Sequence, residues 1–68
     1  MIKICILENN IENVGDTRGY LRAFANNTNT IIKEKTFFKA EDMIENPADI
    51  CIVDFKAFLE NQNILEEW

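Results

Sequence analysis

The 68-residue sequence has no histidine, one proline, two glycines and two cysteines. Each scarcity removes a class of function. Without histidine there is neither the commonest general base nor the commonest zinc ligand, and no Ser/His/Asp or Cys/His constellation can form. Cys5 and Cys51 lie far apart and in no Cys-x-x-Cys arrangement, which argues against a metal site. Gly15 and Gly19 fall inside a helical pattern rather than in a phosphate-cradling loop. The chain is therefore not expected to be an enzyme. No apolar run approaches membrane-spanning length, and Met1-Ile2-Lys3-Ile4 is too short and too soon acidic for a signal peptide. A reducing cytoplasm is the expected setting, with no membrane partner.

Positive charge is also sparse. Seven basic residues face twelve acidic ones, for a net charge of -5, and the seven look scattered along the chain. Such a chain repels phosphate backbones, so it is not expected to bind nucleic acid alone. At 47% hydrophobic and 28% charged the composition is that of a folded domain. Residues 1–68 read as one domain. A domain this small buries only about 60% of the surface of its unfolded chain, and an oligomeric interface is one common source of added stability.

What is present is a run of short apolar segments between amphipathic ones. The pivotal stretch is Ile50-Cys51-Ile52-Val53 followed by Asp54, an unbroken β-branched run that reads as a strand buried on both faces, at 49–54. Residues 2–8 read as a similar strand ending in Glu8-Asn9-Asn10. Asn9 and Asn10 can cap a helix over about 11–25, whose apolar face holds Ile11, Val14, Leu21, Phe24 and Ala25. The cluster at 26–29 reads as the turn that stops it. Residues 30–37, with Lys33, Glu34 and Lys35 inside, suit an edge strand. A short helix at about 39–45 buries Ala40, Met43 and Ile44 and ends before Pro47. A last helix presents Ala57, Asn61, Ile64, Leu65 and Trp68, with Trp68 as its final anchor. Alternation of this kind implies α/β architecture, a three-stranded parallel sheet in the order 2-1-3.

These pieces resemble the front half of a response-regulator receiver domain, a flavodoxin-type fold. Lys3-Ile4-Cys5-Ile6-Leu7-Glu8-Asn9 matches the first strand with its acidic end, and Asp49-Ile50-Cys51-Ile52-Val53-Asp54 the strand that carries the phospho-acceptor. Thr36-Phe37-Phe38-Lys39-Ala40-Glu41-Asp42-Met43-Ile44 resembles the second strand and helix of receivers attached to LytTR-type DNA-binding domains. The resemblance spans nearly all of this chain and about half of a receiver. It implies a two-component signalling role, with Asp54 as phospho-acceptor and Glu8, Asn9 and Asp54 around a magnesium ion. Departures are also plain. Asn9 replaces a carboxylate, Phe58 stands where the family has proline, and Gln62 stands near its usual glycine. The family's later hydroxyl and lysine residues have no counterpart. The implied phospho-acceptance is weak or absent, and any magnesium weakly held.

A purely structural role also fits each of these residues: for Asp54 a solvated carboxylate closing a strand, and for Glu8 and Asn9 helix capping. Cys5 and Cys51 stand three residues before Glu8 and Asp54, so on adjacent strands their thiols would point the same way. Bridging is then sterically allowed, and two reduced core thiols are the preferred reading. Of the phenylalanines, Phe38 or Phe58 is expected to be partly exposed. The third strand would form an apolar open edge, so Ile50, Ile52, Phe55, Phe58 and Trp68 are candidate interface residues for a homodimer or another protein. The expected function is a receiver-like signalling module acting by protein–protein binding. The rivals are a stand-alone interaction protein or antagonist of a partner regulator, and an active phospho-acceptor.

Overall fold

A computed structural model describes all residues, 1–68. Its elements are β1 (Ile2–Leu7), α1 (Ile11–Thr28), β2 (Ile32–Phe37), α2 (Ala40–Ile44), β3 (Ile50–Val53), α3 (Phe55–Glu60) and α4 (Gln62–Glu67). The fold is α/β, and the three strands form one parallel sheet in the order β2-β1-β3. This is the expected flavodoxin-like half-domain topology, with one helix more than expected.

Alternation along β1 divides its side chains between two layers. Cys5 and Leu7 join Phe37, Ala40, Met43 and Ala57 in the core beneath α2 and α3, with Val53, Ile64 and Leu65 packed at its margin. Ile4 and Ile6 face the other way and are also buried, as is Val14 of α1. β1, the central strand, is the one buried on both faces, with Cys5 and Leu7 in the core under α2 and α3 and Ile4 and Ile6 on the other side. β3 does not match the expectation of burial on both faces: Ile50 is 48% exposed and the three residues after it are half-buried. The apolar run of β3 records a strand with one neighbour rather than two.

The helices also differ from the sequence reading in instructive ways. α1 runs through Asn26, Asn27 and Thr28, the first three residues of the cluster expected to stop it, and ends at the fourth. Thr28 donates its hydroxyl to Phe24 O at 2.7 Å, and the stop comes at Asn29, which adopts a left-handed conformation (φ 51°). Ile11 and Phe24 were expected on the apolar face, yet both are exposed, and Val14, Leu21 and Ala25 carry the packing. The helix after β3 is split at Asn61 into α3 and α4. The Asn61 side chain donates to Ala57 O at 2.8 Å, and its backbone N–H is shared between Ala57 O and Phe58 O. Competition by an asparagine side chain for the last carbonyls of a turn is a known route to a helix break. Beyond the break Ile64 and Leu65 return to the core margin, but Trp68 is largely exposed and is no anchor.

Candidate functional site

The carboxyl ends of β1 and β3 lie side by side, because Leu7 pairs with Val53 in register. The residues that follow, Glu8 and Asp54, therefore open onto one depression, which Asn9, Asn10, Asn13, Lys56, Ala57 and Glu60 complete. Its position is the one that parallel α/β sheets favour for ligands.

Local chemistry fixes each acidic group. Glu8 donates its backbone N–H to Phe37 O at 3.2 Å, which ties the end of β1 to β2. The residue is 8% exposed, and its side chain accepts from the Asn10 N–H at 3.0 Å. Asn10 in turn caps α1, accepting from the Glu12 N–H at 2.9 Å. A buried carboxylate beside the positive end of an 18-residue helix is favourably placed. Asp54 caps α3 by the same logic. Its Oδ2 accepts from the N–H groups of Lys56 at 3.1 Å and Ala57 at 3.2 Å. Asn9 is exposed, and Asn10 rather than Asn9 is the cap.

The structure thus brings Glu8, Asn9 and Asp54 to one place; Asp54 caps α3, and Glu8 accepts from the N–H of Asn10, the residue that caps α1. No group of three or more histidine, cysteine, aspartate or glutamate side chains gathers to hold a metal ion. Each of Glu8 and Asp54 uses one carboxylate oxygen on backbone amides and keeps the other free of such bonds. Magnesium is commonly held by one or two protein carboxylates plus waters and substrate phosphate, so the pair supplies only that minimum. Lys56, Glu60 and Asn13 were missed by the sequence reading. Their signal was spacing, since Lys56 and Glu60 lie four apart on α3 and Asn13 lies in the first turn of α1.

The candidate interface residues do not form one patch. Ile50 and Ile52 lie on β3, on the opposite side of the sheet from the Cys5–Leu7–Met43 core. Phe55 is exposed at the start of α3, while Phe58 is half-buried. Trp68 lies beside Ile44 and Ile64, on the α2–α4 side. Phe38 is exposed and Phe37 is buried, as adjacent strand-end residues must be divided.

Three of the basic residues turn out not to be scattered. Register pairs Lys3 with Lys33, and Lys35 follows on the same face of β2, so all three line a groove floored by Cys5, Phe37 and Ala48. The Lys35 amine sits 5.1 Å from the centre of the Phe37 ring. On the other face, Arg18 of α1 pairs with Glu34 of β2. No helix is long and apolar enough to cross a membrane. No family model matches the chain, and no curated protein or solved structure matches it.

Proposed function

We propose that the chain is a receiver-like signalling module that acts by protein–protein binding through the outer edge of β3, with phospho-acceptance at Asp54 weak or absent. The observation that carries this reading is the open flank of the sheet. β3 pairs only with β1, so its outer backbone groups have no strand partner, and Ile50 beside them is half exposed. The accessible surface is 5024 Å², against about 4,400 Å² for a compact monomer of the same mass. That excess, about 600 Å², approaches the roughly 800 Å² that one partner contributes to a standard interface. The molecule is also thin, 36 × 24 × 14 Å, with a radius of gyration of 12.2 Å against about 11 Å for a compact domain of this length.

A second copy is the partner in this reading. Two β3 strands pairing antiparallel about a two-fold axis would join two sheets into one of six strands. A pairing centred on the four residues would set Asp49 opposite Asp54, where like charges repel. Registers displaced by one residue in either direction avoid that contact. The cytoplasm is the setting this module would work in.

Sedimentation of the purified chain tests the reading. A dimer in the tens of micromolar, converted to monomer by Ile50→Lys with its circular dichroism unchanged, is expected. A monomer at high micromolar concentration with a cooperative melt removes it. The depression shared by Glu8 and Asp54 favours a second reading, phosphoryl transfer to Asp54. Incubation with magnesium and a small acyl phosphate, followed by intact mass, decides between them: an adduct lost in Asp54→Asn would put the carboxylate before the edge.

A further inference from the structure

The two cysteines stand opposite each other. Cys5 of β1 and Cys51 of β3 are register partners in adjacent parallel strands. Such strands run about 4.8 Å apart, inside the range of roughly 4.4–6.8 Å over which Cα atoms can be bridged by a disulfide. Register partners project to the same face, and both thiols do face the core beneath α2, with Cys5 inside it and Cys51 at its margin. Both are free, Cys5 buried and Cys51 half-buried. Neither belongs to the acidic depression, and the side chain of Cys5 makes only a long hydrogen bond, to Asn46 O at 3.7 Å.

We propose that Cys5 and Cys51 form a dithiol site that closes to an intramolecular disulfide on reaction with a low-molecular-weight disulfide. The inference is independent of the binding role assigned to the β3 edge. Cys51 is the more accessible sulfur and reacts first. Its thiolate attacks one sulfur of the reagent, the reagent's S–S bond breaks, and one thiolate leaves. The Cys5 thiol then loses its proton to solvent and attacks the Cys51 sulfur. The mixed disulfide breaks and the second reagent thiolate departs. The protein has given up two electrons and two protons, and the reagent has become two thiols. The bond formed ties β3 to β1, the one strand that holds it in the sheet.

Closure would be slow near neutral pH for a structural reason. Burial raises the Cys51 pKa, and the neighbouring Cys5 raises it further through its charge and its hydrogen bond. The attacking thiolate is therefore scarce until the solution is alkaline.

The test uses the whole reduced chain and oxidised glutathione at pH 7 and pH 9, read by intact mass and non-reducing peptide mapping. A loss of two hydrogen masses is expected, with tryptic peptides 4–18 and 40–56 joined, and closure faster at pH 9. The equilibrium constant for closure is expected to exceed that of the chain unfolded in urea by roughly ten-fold or more, because the native register holds the sulfurs together. The oxidised protein should melt on the order of 10 °C higher than the reduced one. Cys51→Ser, altered at a half-buried position, should keep the fold and give no bridge. A stable glutathione adduct on Cys51, a Cys51–Cys51 link between two copies, or a closure constant no larger than in urea would each overturn the proposal.

Discussion

The Asp54 Oδ2 accepts a hydrogen bond from the backbone N–H of Ala57 at 3.2 Å, and Ala57 is one of the six residues of the main core cluster. The carboxylate at the end of β3 is thereby tied to the packing of α3. Asp54→Ala removes the cap from a six-residue helix and should lower stability by about 1 kcal/mol. Asp54→Asn, an equally good cap, should lose only a few tenths of that scale. Urea denaturation of the two variants separates the roles. If Asp54→Ala were as stable as the parent, capping would not be what the carboxylate does in the folded protein.

Gly15 and Gly19 lie in mid-helix, each at a cost of about 1 kcal/mol against alanine. A β-carbon built at either position meets nothing within 4 Å, and neither glycine has a positive φ. Their conformational cost in α1 is therefore not offset by contact. Gly15→Ala and Gly19→Ala should each raise stability by about 0.5–1 kcal/mol, with effects that add. Thermal melts of the singles and the double check this. A loss of stability in either would show that α1 approaches another surface there.

The fold was legible because the strands carry it. Ile2–Leu7 and Ile50–Val53 are short apolar runs, the lysines of β2 mark an edge, and Pro47 bounds α2. The same run misled on burial. Ile50 and Ile52 have the composition of a strand buried on both faces, but at the edge of the sheet Ile50 is exposed and Ile52 only half-buried. Periodicity likewise placed Ile11 and Phe24 with Val14, although α1 turns a narrower face to the sheet. Asn61 and Asn29 break and end helices through conformations and side-chain bonds that apolar spacing does not encode. At the candidate site, Glu8 and Asp54 were found because each follows an apolar run. Lys3, Lys33 and Lys35 were missed because a register pairing, not a sequence interval, gathers them.

Asn29 closes α1 in a left-handed conformation, φ 51° and ψ 36°, with its N–H donated to Ala25 O. Asparagine tolerates that geometry better than alanine because its short polar side chain can hydrogen-bond locally, and glycine better still because it has no β-carbon. Asn29→Ala should cost about 1 kcal/mol, whereas Asn29→Gly should be neutral or slightly stabilising. Chemical denaturation of the pair reads the difference directly. Equal stability of the two would mean that the turn into β2 relaxes out of the left-handed region at no cost.

The Cys5–Cys51 pair gives the stability a pH dependence of defined sign. Burial first, and then the neighbouring Cys5, raises the Cys51 thiol above its ordinary value of 9.0. In the window between the two values the unfolded chain has released a proton that the folded chain still holds. The unfolded state then binds fewer protons, so stability falls as pH rises. Below pH 9 the thiol is protonated in both states and its contribution is fully present. As pH rises through the folded value that contribution is lost. The informative quantity is the difference between the parent and a variant that lacks this thiol. Under reducing conditions the parent should lose more stability between pH 8 and pH 10.5 than Cys51→Ser does. Urea midpoints taken across that range provide the measurement. Parallel pH profiles for the two proteins would show that Cys51 ionises as freely in the folded sheet as in the unfolded chain.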